Sequence, residues 1–201
     1  MDLAILAATF GAIFIVELPD KTFIAALVLS TRYRPLAVWL GVGLAFGVQT
    51  LVAVTIGALA TLLPDVLVKS VAMLIFLAGA VVLVRTAPGA DAAEKEQEEE
   101  FEAKASEPKS FLKAAVASFL VLFAAEWGDL SQLLTISFVT RYHNHVSVFI
   151  GAWAALLTVS GLAILAGRVL LRYMRLSLLH YIGAAVCLLL AVVTLVEIIA
   201  G

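Results

Sequence analysis

Apolar residues run in six blocks, Leu3–Leu29, Leu36–Leu63, Val66–Val84, Phe111–Val139, Val146–Leu170 and Leu178–Ala200. A hydrocarbon core about 30 Å thick is crossed by about 20 apolar residues of helix, so each block predicts a transmembrane span. The breaks agree with this division. Ser30-Thr-Arg-Tyr-Arg-Pro35 and Thr140-Arg-Tyr-His-Asn-His145 are polar, Leu63-Pro-Asp65 is a tight turn, and Arg168 to Ser177 is basic. Pro35 and Pro64 suit the start of a helix, where a missing N–H costs nothing. Between Ala87 and Ser110 the pattern stops. That stretch holds eight acids, three lysines and two prolines with one large apolar residue, Phe101, and predicts a solvated connector with too little apolar surface to order itself.

The first and fourth blocks are interrupted by charge at mid-depth. Glu17-Leu-Pro-Asp20-Lys21-Thr22 lies within the first, and Glu126-Trp-Gly-Asp129-Leu-Ser131-Gln132 within the fourth, 109 positions on. A charged side chain at a bilayer centre costs at least ~2.5 to 3.5 kcal/mol on insertion scales, so acids there imply function. Thr31-Arg-Tyr33 recurs as Thr140-Arg-Tyr142 at the same offset, Gly41 and Gly57 answer to Gly151 and Gly167 after a one-residue slip, and Gly79 to Gly183. The chain therefore reads as an all-α integral membrane protein: a first three-helix repeat over 1–86, an acidic linker over 87–110, and a second three-helix repeat over 111–201. An odd number of spans inverts the second copy, the arrangement common in secondary transporters.

Composition sharpens this reading. The chain has 201 residues, of which 63% are hydrophobic, well above the ~45–50% usual in soluble domains. The single cysteine, Cys187, permits neither a disulfide framework nor a thiolate metal site. No cleavable leader is recognised at the N-terminus, whose apolar run reads as the first span. One set of loops carries Arg32, Arg34, Arg85, Lys95, Lys104, Lys109, Lys113, Arg168, Arg172 and Arg175, and the other only Lys69 and Arg141. The excess of lysine and arginine marks the cytoplasmic side, which puts both termini outside and the linker in the cytoplasm, in a bacterial-type plasma membrane.

On a helix, residues three apart share a face, so Glu17 pairs with Asp20 and Glu126 with Asp129. Pro19 and Gly128 interrupt the two motifs and free backbone carbonyls beside the carboxylates. Thr22, Ser131 and Gln132 add neutral oxygens. The set suits Ca²⁺, Mn²⁺ or Mg²⁺ and disfavours Zn²⁺ and Cu⁺. Four carboxylates around one divalent ion leave two negative charges; Lys21 offsets one and a shared proton another. Carboxylates that lose their cation in a low-dielectric site take up protons instead, and alternation between cation and protons is the basis of antiport. A Glu17–Lys21 pair acting only as structural glue is the competing reading, but Leu130 stands where the second copy would need its lysine. No His-Glu-x-x-His, phosphate loop or intramembrane Ser/His pairing signals an enzyme.

The repeated motif, of the form E-x-G-D-[K/R]-[T/S], in two three-span halves resembles the manganese and calcium/proton exchangers known as uncharacterised protein family 0016, relatives of transmembrane protein 165 of the Golgi. The resemblance implies that Glu17, Asp20, Glu126 and Asp129 bind the cation, supported by Thr22, Ser131 and Gln132, and that Mn²⁺ or Ca²⁺ leaves the cytoplasm as protons enter. Pro19 replaces the family's glycine and Leu130 a basic residue. No cofactor beyond the transported ion and no nucleic-acid partner are expected; partners are the cation, protons and the lipid bilayer, and two copies could form a homodimer. The alternative is a six-span exporter of amino acids or other small metabolites, which would show neutral or mixed-charge polar groups in place of four acids.

Further residues carry weaker expectations. Gln49 and Thr158, at corresponding places in the two repeats, are candidates to support the site, while Gly43, Gly47 and Gly151 read as close-packing positions. Trp39 and Trp153 read as packing or interfacial aromatics, and Trp127 as a cover of the second motif against lipid or a gate. His143 and His145 read as solvated loop residues with a sharper alternative in pH sensing. His180 reads as interfacial, and Glu197 as a group at the outer interface.

Overall fold

The computed structural model describes residues 1–18, 21–104, 110–173 and 176–200. Among these the chain is helical: α1 Leu3–Glu17, α2 Lys21–Arg32, α3 Pro35–Ala60, α4 Asp65–Thr86, α5 Ala90–Lys104, α6 Phe111–Ala125, α7 Leu130–Tyr142, α8 His145–Tyr173 and α9 Leu176–Ala200. Local signals set several ends. The Asp2 carboxylate accepts from the Ala4 and Ile5 N–H groups at 2.8 and 3.2 Å, capping α1. Pro35 is the first residue of α3, after an extended Arg34. At the other end of α7, His143 adopts the left-handed conformation with φ 49°, and Asn144 Oδ1 accepts from the Ser147 N–H at 3.1 Å to start α8.

Helices α3, α4, α8 and α9 are each long and apolar enough to cross a membrane, and the pairs α1/α2 and α6/α7 pass the same test together while bending by 71° and 73°. Among the described residues this gives four candidate membrane spans, or six when each bent pair is counted as one. In α3 and α8, 50% and 44% of the apolar window is buried, against 28% in both α4 and α9; the first pair is central and the second peripheral.

Helix directions follow from the contacts. Trp39 Nε1 donates to the Leu157 carbonyl and Trp153 Nε1 to the Gly43 carbonyl, at 3.1 and 2.8 Å, so α3 and α8 run antiparallel, braced by two indoles. Each ring rests on a glycine of the facing helix, Trp153 on Gly47 and Trp39 on Gly161. On α6, Ala115 meets Gly41 and Phe123 meets Gln49, so α3 and α6 run parallel. On α8, Ser147 meets Asp2 and Gly151 meets Leu6, so α1 and α8 run parallel. Gly79 faces Cys187 and Gly183 faces Leu83, which makes α4 and α9 antiparallel. A Cβ on Gly41 would strike the Ala115 carbonyl, and one on Gly151 the Leu6 carbonyl; these two glycines are what let α6 and α1 approach the central pair.

The acidic connector corrects the sequence reading. It is helical over Ala90–Lys104 and packs mainly on α2 and α9. Ala90 and Phe101 are buried, and Glu102 lies 3.6 Å from Arg32 on α2. The expectation that it cannot order failed because one well-placed aromatic and a helix-favouring run of Ala, Glu and Lys meet a ready-made surface.

Candidate metal centre

The centre is built where the two broken spans interrupt their helices. Glu17 is the last residue of α1 and fully buried; Glu126 follows α6 and is 3% exposed; Asp129 precedes α7. One carboxylate oxygen from each of Glu17, Glu126 and Asp129 lies within 4.8 Å of the others. Residues of both halves therefore converge on a single point.

The second break can be accounted for bond by bond. Gly128 has φ +81°, a conformation that L-residues with a Cβ resist, and it turns the chain between α6 and α7. The bend orphans carbonyls at the end of α6, and buried carbonyls need partners. Leu122 O accepts the Glu126 N–H at 3.0 Å, and Phe123 O accepts Gln49 Nε2 at 3.0 Å from α3. Gln132 closes the turn from the far side: its Nε2 donates to Glu126 O at 2.8 Å and its Oε1 accepts from the Gly128 N–H at 3.3 Å. Leu130 packs on Gly79 of α4, an apolar anchor where the motif of the first repeat has a lysine.

Three carboxylates this close repel one another when charged. At 4.8 Å two unit charges repel by about 3.5 kcal/mol at an effective dielectric constant of about 20, so the three pairs together cost about 10 kcal/mol. A divalent cation or shared protons remove that cost. Asp129 Oδ2 and Thr22 Oγ1 are buried with no hydrogen-bond partner among the described residues, whereas Thr31, Thr55, Thr135, Ser137 and Thr158 all donate to carbonyls of their own helices. Buried oxygens of this kind ordinarily have a hydrogen-bond partner.

Of the residues singled out from the sequence, Glu17, Glu126 and Asp129 come together, and Thr22 and Ser131 are buried in the first turns of α2 and α7. Gln132 is engaged at both ends of its amide and shapes the bend. Asp20 and Pro19, and the side chain of Lys21, lie outside the described residues. Gln49 reaches from α3 to Phe123 O near the end of α6, whereas its counterpart Thr158 is exposed and bonded to Ala154 O of its own helix at 2.7 Å. Trp127 is 60% exposed and rests on Phe123, ring centroids 5.1 Å apart, so it lies on the outer side of the bend. His143 borders a cavity described below, and Glu197 is paired with Arg141 at 2.7 Å.

Sequence reasoning missed three features. Phe10 stacks on Phe14 and Phe119 on Phe123, at 5.7 and 5.4 Å. Thr9 and Ser118 are buried hydroxyls without a partner among the described residues. Every one of these pairs is offset by 109 positions, so extending the repeat alignment upstream of the acids would have found them. The third is the pairing of Arg141 with Glu197, for which the sequence gives no signal.

A family model described as "Divalent cation/proton antiporter GDT1" matches residues 5–91 and 114–201. Among curated proteins, Protein PAM71, chloroplastic, of Arabidopsis thaliana is 28% identical over 96% of this chain and 57% of its own length. GDT1-like protein 2, chloroplastic, of Oryza sativa subsp. japonica is 33% identical over 93% of this chain and 59% of its own. GDT1-like protein sll0615 of Synechocystis is 32% identical over 90% of this chain and 95% of its own. The chain thus spans under two thirds of the two chloroplast relatives and nearly all of the cyanobacterial one. No solved structure matches it.

Proposed function

This chain belongs to the divalent cation/proton antiporter GDT1 family, and from that premise we propose that it exports Mn²⁺ or Ca²⁺ from the cytoplasm in exchange for protons, with Glu17, Asp20, Glu126 and Asp129 as the groups that hold either cargo. The observation that carries the reading is the meeting of Glu17, Glu126 and Asp129 oxygens within 4.8 Å. The donors are all hard oxygens, which suits Mn²⁺ and Ca²⁺ and not the softer Zn²⁺ or Cu⁺. Thr22 and Ser131 supply neutral oxygens, and Gln49 and Gln132 fix the bend that aims Glu126 and Asp129.

Mechanism follows from the repulsion within the cluster. With a divalent ion bound, its charge offsets the carboxylates; when the ion leaves, the same oxygens take protons, because a buried group of uncompensated acids is not tolerated. One occupant excludes the other, and flux of one therefore drives the other. The helix directions support an inverted repeat of two three-span halves. Since α1 runs with α8, α6 with α3, and α3 against α8, α1 runs against α6, and the two breaks face the centre from opposite sides. Rocking of the broken spans α1/α2 and α6/α7 against the braced α3/α8 pair opens the site to each face in turn. The preponderance of Lys and Arg puts the α5 side in the cytoplasm.

Proteoliposomes with an acidic lumen and a pH dye, challenged with Mn²⁺, Ca²⁺, Mg²⁺ and Zn²⁺ outside, test the reading. Mn²⁺ or Ca²⁺ should alkalinise the lumen and Zn²⁺ should not. Absence of any cation-driven proton movement would overturn it.

A further inference from the structure

Each motif helix carries an arginine in its last turn, Arg32 on α2 and Arg141 on α7, 109 positions apart and each followed by tyrosine. Each guanidinium meets a carboxylate from an element outside the broken spans. Arg141 Nη2 donates to Glu197 Oε1 on α9 at 2.7 Å, with side chains 20% and 38% exposed; Arg32 lies 3.6 Å from Glu102 on α5, with side chains 50% and 53% exposed. The first is a charge-assisted hydrogen bond in a half-dry setting. The second is a surface ion pair of the kind that contributes little.

Position makes the tighter pair informative. Arg141 lies twelve residues beyond Asp129, about 18 Å along the helix. It borders a cavity of 120 Å³ lined by Asp65, Lys69, Ser137, His143 and Thr194, among others, which is room for about four waters. Arg141 Nη1 is buried without a hydrogen-bond partner among the described residues. The pair is thus a polar tie between the remote end of α7 and α9, set beside a polar space that water can enter when it parts.

We infer that Arg141 and Glu197 are positioning residues of the transport cycle: their contact clamps the end of α7 to α9 and keeps the Ser137 side of α7 from bulk water, and its opening admits water along α7 on that face. Arg32 with Glu102 is the weaker counterpart at the end of α2. The inference rests on the proposed movement of α6/α7 during exchange.

A cysteine placed at Ser137, which is 3% exposed, reports the clamp in a Cys187→Ala background. Its labelling by a membrane-impermeant maleimide, added to the full chain in nanodiscs, should rise at least about fivefold in Arg141→Gln and in Glu197→Gln, the factor that a partly exposed charged hydrogen bond governs. The charge exchange Arg141→Glu with Glu197→Arg should return labelling to within about twofold of the parent, and Glu102→Gln should leave it there. In vesicles the same neutralisations should change the exchange rate while equilibrium Mn²⁺ affinity stays put. Unchanged labelling in both single variants overturns the inference, as does a charge exchange that labels as fast as the singles while melting like the parent. Labelling needs no transport, so a protein that moves no cations would sink the antiport reading and leave the clamp to be judged by its own readout.

Discussion

Replacing Gln49 by methionine removes one bond from the centre while keeping the side chain's volume nearly unchanged. Gln49 is 2% exposed and its Nε2 lies 3.0 Å from Phe123 O, a carbonyl three residues before Glu126 that the bend deprives of its helical donor. Hydrogen bonds between membrane helices average about 0.6 kcal/mol and reach about 1.7, because the unfolded chain in the bilayer finds other partners. A buried carbonyl left without any donor costs about 1 to 3 kcal/mol. Since no second donor to Phe123 O is found among the described residues, the upper part of the first range applies, and a loss of about 1.5 kcal/mol is expected. In detergent that lowers the melting temperature by about 3 to 6 °C for a chain of this size. If the bond also fixes Glu126, Mn²⁺ affinity falls by about tenfold, the equivalent of about 1.4 kcal/mol. Thr158 supplies the control, because it stands at the matching place in the second repeat yet bonds to its own helix; Thr158→Val should change neither quantity measurably. Equal behaviour of the two variants in melting and in Mn²⁺ titration would refute the assigned role of Gln49.

Other expectations follow from the same geometry. Gly128→Ala meets no steric obstacle but must hold φ +81°, so it should cost about 1 to 2 kcal/mol from the backbone alone and weaken Mn²⁺ binding through the altered bend; thermal melts and titration check both. Gly151→Ala puts a Cβ 2.6 Å from the Leu6 carbonyl and should destabilise by about 1 to 3 kcal/mol, whereas Gly11→Ala, with open space around it, should be neutral or stabilising in the same melt. Thr22→Val removes an unpartnered buried hydroxyl, so the cation-free protein should melt about 1 kcal/mol more stably while Mn²⁺ affinity drops; Thr22→Ser should match wild type in affinity. A Val variant that keeps full affinity would remove Thr22 from the ligand set.

Much of this could be read from the chain because membrane insertion leaves few choices. Apolar blocks of span length mark helices, and charge within them is too costly to be incidental, so the acids named themselves. Repetition then did what a single motif could not: Glu126 and Asp129 without their own lysine demanded a counter-charge from outside their helix, and the structure sharpens that demand by bringing a third carboxylate, Glu17 of the other half, beside them. What the sequence hid depends on side-chain direction. Gln49 and Thr158 look equivalent in the alignment, but one turns inward to a carbonyl of α6 and the other outward. Gln132 is a ligand by composition and a staple by geometry. The acidic connector has the composition of a coil, yet Phe101 meets a prepared surface and a helix forms. The pairing of Arg141 with Glu197 needs the mutual position of α7 and α9, which no local pattern encodes.

The most direct test asks whether cation and protons compete for the same carboxylates. Purified protein in weakly buffered detergent is titrated with Mn²⁺ while bound cation and released protons are counted, for the wild type and for Glu126→Gln. The account predicts proton release in step with Mn²⁺ binding in the wild type, and loss of both in a variant that still inserts and melts cooperatively. Mn²⁺ binding without proton release, or unaltered binding by Glu126→Gln, would contradict it.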